Sequence, residues 1–512
     1  MKVKKLMAMA LSMSLMLCAC AEKKQSIDDT SEETSTEPVT EATEPTEPPA
    51  PEKTVPEEIL ESMDLKQKVC QMFITTPEQL SGWDVVTLYD EVVQESIQNY
   101  PIGGVIMFSQ NLETTEQTTG LISDIQNFSL ANSGIGMFMS VDEEGGTVAR
   151  VADALGTTAF DDMSTYGEQN DTHVSYEIGY TIGTDLKALG FNLDFAPVAD
   201  VNISDASELG GRIFSADPDV VANMASNVAI GLKDAGVCAT LKHFPGLGAA
   251  EGDTHTDNNV TINRSVDDLR ASDFVPFKEG IKAGADFVMV GHQIISGVGD
   301  WLPSDLSYTV VTDLLRKELG FEGIVITDSH MMNTITEVYT PAEASVKAIN
   351  AGVDIILMPA NLVEAIDAVC QAVESGEIDS ARIDESVLRI LNKKYEMGLI
   401  DENFKREEPT TETVTEEETT TTETTTETTT EDTETTTAES VTEPVATESV
   451  KITTTFAGYV AGTFVDPNVT TTTTTTAYDF SYDYNSGYYD YGYDYGYYDD
   501  TYDYGYDYDY GY

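Results

Sequence analysis

The chain has 512 residues, a formal net charge of −63, 41% hydrophobic residues and five cysteines. Such an acidic excess argues against a nucleic-acid partner and favours a soluble, self-repelling extracellular protein. The few cysteines build neither a disulfide framework nor a metal-ligand spacing. Cys70, Cys238 and Cys370 sit in apolar segments and read as small buried hydrophobes.

At the N-terminus, Lys2, Lys4 and Lys5 precede an apolar run from Leu6 to Leu17. The run is too short to span a bilayer as a mature helix and reads as a signal segment over residues 1–20. It ends in Leu17-Cys18-Ala19-Cys20, which resembles a bacterial lipoprotein box with Cys20 as the lipidated residue. Lipidation would anchor the chain at a membrane surface; simple secretion is the alternative. Residues 21–56 are rich in Thr, Glu, Pro and Ser, cannot bury enough apolar surface to fold, and form a linker.

A second Thr/Glu-rich linker covers 407–477, and a Tyr/Asp/Gly tail over 478–512 holds 16 of the 25 tyrosines. Both are low-complexity, disordered segments. The tail suits either a surface stalk or attachment to the cell wall. Residues 1–56 carry −4 and 401–512 carry −23, which leaves −36 on the middle of the chain.

That middle, residues 57–406, is long enough for one domain with a sizeable core. Eight short apolar, β-branched runs recur through it: 69–74, 103–108, 136–141, 191–196, 237–241, 285–290, 323–327 and 353–358. Amphipathic stretches such as Val310–Leu319 and Ala342–Ala351 separate them. Strands alternating with helices eight times over predict an α/β fold, a single closed (β/α)8 TIM-type barrel. No strand is followed by G-x-G-x-x-G or G-x-x-x-x-G-K-[ST], so neither a dinucleotide nor a nucleoside triphosphate site is expected.

Barrels of this type do chemistry at the C-terminal ends of their strands. The third run here ends in Asp142-Glu143-Glu144, the fifth in Lys242-His243, the sixth in Gly291-His292 and the seventh in Asp328-Ser329-His330. After Lys242-His243-Phe244-Pro245-Gly246 the chain loops to Asp253-Thr254-His255. A carboxylate two residues from an imidazole can hold the ring in one tautomer and raise its basicity, as a proton-transferring histidine requires.

The loop KHFPGLGAAEGDTHTD, the run VDEEGGTVARV, the phrase LDFAPVADV and the strand end VITDSHMM together resemble family 3 glycoside hydrolases, in their β-N-acetylhexosaminidase branch. That resemblance implies a two-step displacement with retention. It makes Asp328 the nucleophile and His255 the acid/base, oriented by Asp253, in place of the second carboxylic acid used by most retaining glycosidases. It also implies sugar contacts from Asp142, Arg150, Arg212, Lys242 and His243, and from His292 facing the pocket. Glu143 and Glu144 are expected to be solvated or supporting charges, His330 to pack behind the nucleophile, and His173 to face solvent. Leu247 and Thr147 depart from the family's usual histidine and arginine, which bears on loop mobility and on the pocket rim.

The implied activity is release of terminal β-linked N-acetylglucosamine from muropeptide-derived or other oligosaccharides, with no metal or organic cofactor. A phosphorylase on the same fold is the near rival. A surface-anchored glycan-binding protein with an inactive barrel is a different class of reading, and intact Asp328, Asp253 and His255 argue against it.

Overall fold

The computed structural model describes residues 53–204 and 206–404. Cys20, nearly all of the first linker, the Thr/Glu-rich linker and the Tyr/Asp/Gly tail lie outside the described residues. Eight parallel strands form a closed barrel: β1 (Phe73–Thr75), β2 (Gly104–Ile106), β3 (Phe138–Val141), β4 (Leu193–Asp194), β5 (Cys238–Phe244), β6 (Phe287–Val290), β7 (Ile324–Ser329) and β8 (Ile355–Leu357). They neighbour one another in chain order, and β8 closes on β1 through Phe73–Ile356 and Ile74–Leu357.

Each of the eight apolar runs overlaps one barrel strand; β1, β5 and β7 continue past the end of their run, and the other five strands lie inside theirs. The first run is the instructive case. Its residues 69–71 belong to the helix Leu65–Gln71, because Asp64 and Gln67 form a reciprocal capping box that starts a helix there. A short apolar run is compatible with either structure until its caps are read. The amphipathic stretches fold as the helices Thr309–Glu318 and Pro341–Ala351, the second opened by Pro341 and a Thr340/Glu343 capping box. Cys70 and Cys238 are buried as expected, whereas Cys370 on the helix Leu362–Ser375 is only half-buried.

The two ends of the barrel use charge differently. At the N-terminal end the helix Ser380–Glu396 brings one side chain against the starts of β1 and β3. Its fully buried Lys394 donates to Gln71 Oε1 at 2.8 Å and lies 5.0 Å from the Phe138 ring centroid. Asp354, just before β8, is enclosed by Arg316, Arg382, Arg389 and the Ser386 hydroxyl. These groups satisfy one another. At the C-terminal end, β5 and β7 run past their neighbours, and their registers shift between Leu241 and Phe244 and between Ile326 and Ser329. The peptide bonds Ala196–Pro197, Lys242–His243 and Phe244–Pro245 are cis. The longer strands carry Lys242, His243 and Asp328 to the mouth.

Candidate active site

Asp328 sits near the end of β7, half-buried, and one carboxylate oxygen accepts the Ser329 N–H at 2.8 Å. Burial alone would favour its neutral form. The neighbouring imidazoles of His243, His292 and His255 outweigh that and hold the carboxyl below its ordinary range. A group kept ionised this way can attack an electron-poor carbon or stabilise a developing cation.

His292 follows β6. Its Nδ1 lies 3.0 Å from Asp305 Oδ1 and its Nε2 lies 2.9 Å from the Ser329 carbonyl oxygen. Both partners only accept, so both ring nitrogens carry hydrogen and the imidazole is a cation. Burial opposes that charge, but the Asp305 carboxylate prevails and lifts His292 to about 9. His330 places Nε2 2.8 Å from the other oxygen of Asp305, while its buried Nδ1 has no partner among the described residues. Burial pushes its pKa down, so it is the neutral member. His330 is thus buried two residues after Asp328 and paired with Asp305.

His243 is anchored by Asp200, a fully buried residue beyond β4. Asp200 takes the imidazole Nδ1–H at 2.7 Å and the backbone N–H groups of His243 and Leu247 at 3.0 and 2.6 Å. The same carboxylate therefore fixes the ring and the first turn of the loop after β5.

Lys242, Asp142 and Arg212 are drawn together by Glu144. Lys242 Nζ is 2.8 Å from Asp142 Oδ1 and 2.6 Å from Glu144 Oε1; Arg212 grips Glu144 with two bonds of 2.8 Å. Despite burial, Arg212 and Lys242 hold Glu144 well below the carboxylate range, and the two acids raise Lys242 against its own burial. Glu144 is not solvated, and neither is Glu143. Glu143 accepts the N–H groups of Val151 and Ala152 at 2.6 and 3.0 Å, capping the helix Arg150–Leu155, and burial raises it to about 7. Both act as buried supports, Glu143 for the helix that follows and Glu144 for Lys242 and Arg212, which residue type alone does not show. Arg150 opens that helix with its guanidinium 5.3 Å from the Phe108 ring centroid, and its buried Nε has no partner among the described residues. Such an orphaned donor suits a ligand oxygen.

The loop after β5 brings Asp253 and His255 together. The His255 N–H donates to Asp253 Oδ1 at 2.8 Å, and the ring Nδ1 lies 3.1 Å from the same oxygen. The loop is docked onto the helix Asn333–Thr336 after β7: Asn333 Nδ2 donates to the Thr256 carbonyl and Thr334 Oγ1 to the Thr254 carbonyl. Glu208, from the loop after β4, reaches the same place. Its Oε1 accepts from Thr254 N–H at 3.4 Å and Thr254 Oγ1 at 3.1 Å, and its Oε2 is 3.8 Å from His255 Nδ1. Burial lowers the His255 pKa, but Glu208, Asp328 and Asp253 outweigh it and the net shift is upward. Donor atoms of Glu208, Asp253 and His255 lie within 4.8 Å of one another, a spacing that would admit a cation. Hydrogen bonds within the group account for its geometry without one.

His173 faces solvent, with its side chain 79% exposed. Asp200, Glu208 and Asp305 were not legible as site residues. Asp200 stands within the phrase LDFAPVADV and follows a strand end, which is a usable signal; Asp305, in the short 3-10 turn Ser304–Leu306, and Glu208, in a loop, carry no particular sequence pattern.

Residues 65–393 match the family described as glycosyl hydrolase family 3 N terminal domain. A beta-hexosaminidase A of Pseudoalteromonas piscicida is 32% identical over 334 residues, 60% of this chain and 55% of that protein. A beta-hexosaminidase of Mycobacterium tuberculosis is 32% identical over 59% of this chain and 78% of its own length. Among solved structures, a family 3 beta-N-acetylglucosaminidase from a Paenibacillus species superposes with a TM-score of 0.62 at 34% identity, covering 66% of this chain and 63% of that one. This chain thus spans little more than half of the Pseudoalteromonas protein and less than two thirds of the Paenibacillus one.

Proposed function

The chain belongs to glycoside hydrolase family 3, and on that premise we propose that it is a retaining exo-β-N-acetylhexosaminidase releasing terminal β-linked N-acetylglucosamine from cell-wall fragments or related oligosaccharides. The observation that carries this reading is Asp328, a strand-end carboxylate held ionised by surrounding imidazoles, with His255 on a loop docked beside it.

In the first step an Asp328 oxygen attacks the anomeric carbon. The bond to the leaving oxygen breaks, and His255 gives that oxygen its proton, leaving a glycosyl ester and a neutral imidazole. In the second step water attacks the anomeric carbon, His255 takes a water proton, and Asp328 departs as carboxylate. Asp253 at Nδ1 orients the ring so that Nε2 carries the transferred proton. Lys242, Asp142 and Arg212, preset by Glu144, and Arg150 supply donors and acceptors suited to sugar hydroxyls and an acetamide.

The proposal extends to location: the N-terminal lysines, short apolar run and Cys20 support an extracytoplasmic protein lipid-anchored to the membrane. The Tyr/Asp-rich tail is proposed as a cell-wall attachment.

The test is release of p-nitrophenol from its β-N-acetylglucosaminide and β-glucoside by the full chain, with and without phosphate. Turnover of the acetamido sugar without phosphate, lost in Asp328→Ala, is expected. Turnover only with phosphate would make the protein a phosphorylase, and a folded chain inert toward both sugars would favour a binding role.

A further inference from the structure

The reading of His255 as acid/base leaves Glu208 unexplained. It comes from a different strand's loop than Asp253, its side chain is only 15% exposed, and it touches both Thr254 and the face of His255 that Asp253 holds. A retaining site that has replaced its second carboxylic acid by histidine gains nothing obvious from an additional half-buried carboxylate, unless that carboxylate governs the histidine.

We propose that Glu208 is a positioning residue for the proposed reaction, clamping the loop through Thr254 and completing with Asp253 a two-carboxylate cradle that holds the His255 proton. The inference rests on the glycosidase reading for its consequence, and on geometry for its existence. Three elements present charge to the ring: its own loop through Asp253, the β4 loop through Glu208, and β7 through Asp328. The helix Asn333–Thr336, packed beneath, offers only uncharged Asn333 and Thr334.

The two carboxylates of the cradle are not equivalent. Burial and the neighbouring Asp253 raise Glu208, whereas Asp253 falls despite its own burial under the N–H and the charge of His255. Glu208 exchanges no proton with the substrate. It anchors the Thr254 hydroxyl and backbone with one oxygen and adds negative charge beside Nδ1 with the other. The imidazolium therefore persists to higher pH, which widens the range over which His255 can protonate a leaving group.

The full chain as wild type, Glu208→Gln, Glu208→Asp and Glu208→Ala would be compared by NMR titration of the His255 ring and by pH profiles of kcat/KM. Substrates would be the p-nitrophenyl glycoside and a β-linked N-acetylglucosamine disaccharide. Gln keeps an acceptor for Thr254 but loses the charge. Its His255 midpoint should fall by about 1 pH unit, with the basic limb of the profile following. Asp should restore much of that shift. Ala should lose the Thr254 anchor as well, cutting turnover of the disaccharide roughly 10-fold more than that of the activated glycoside.

Superposition of the Gln variant on wild type in both titration and profile would overturn the proposal. So would complete loss of activity in Gln with an unshifted His255, since Glu208 would then itself be the proton donor. A shifted His255 in a wild-type chain that turns over neither sugar would sink the glycosidase reading and leave the cradle standing. Normal turnover with an unshifted ring would sink the cradle alone.

Discussion

Two clusters at the barrel mouth use the same side-chain types in opposite ratio. Around Asp305 one carboxylate is shared by two imidazoles, those of His292 and His330; around His255 one imidazole faces two carboxylates, Asp253 and Glu208. The first cluster is fully buried, its two histidines just past strand ends, while in the second the His255 and Asp253 side chains are 29% and 40% exposed on a loop. With one acid between two bases, one histidine is fixed as a cation and the other as a neutral ring, a settled charge pattern beside Asp328. With two acids around one base near solvent, the proton stays available for exchange. Burial and ratio, more than residue identity, separate a fixed electrostatic wall from a working acid/base.

The largest effect that would test this contrast is kinetic. His255→Ala should lower kcat/KM for a disaccharide by roughly 10²–10⁴-fold while sparing the p-nitrophenyl glycoside, whose leaving group needs little protonation. Its unfolding midpoint should stay near wild type. Equal losses on both substrates would place His255 in the fixed class.

Next in size, Asp305→Asn should destabilise the fold by about 3–5 kcal/mol at pH 7, because it strands a buried imidazolium. Urea denaturation measures this, and a change below about 1 kcal/mol would mean that the cluster is not ionic.

A related pH dependence has a definite sign. His292 is raised when folded, so its contribution is fully present below its unfolded value near 6.5 and is lost as pH climbs through about 9. Wild-type stability should therefore decline over that window by about 3 kcal/mol, and Asp305→Asn should flatten the decline. A wild-type curve that stays level to pH 10 would contradict a charged His292. The smallest effect belongs to the exposed His173, where His173→Ala should alter stability by no more than about 0.5 kcal/mol and leave the pH profile untouched.

Much of the architecture was legible before folding. Alternation of apolar runs with amphipathic stretches predicts the barrel, and each of the eight runs overlaps a strand. Strand boundaries were less legible, as residues 69–71 show, because a capping box decided what the apolar pattern left open. Within the site, the charged residues that end β5, β6 and β7 were readable by their position after apolar runs. Their partners were not: Asp200, Asp305 and Glu208 reach the mouth from connecting loops.

The sequence by itself determined which ionisable residues stand at the ends of strands, and hence on which rim they gather, since strand period and chain order specify that much. Only the tertiary structure decided their charges. It made Glu144 a buried counter-ion rather than a solvated acid, turned His292 into a cation and His330 into a neutral ring, and set Glu208 against His255. The physical reason is that a protonation state depends on burial and on charges within a few ångströms, and those neighbours come from loops distant in sequence.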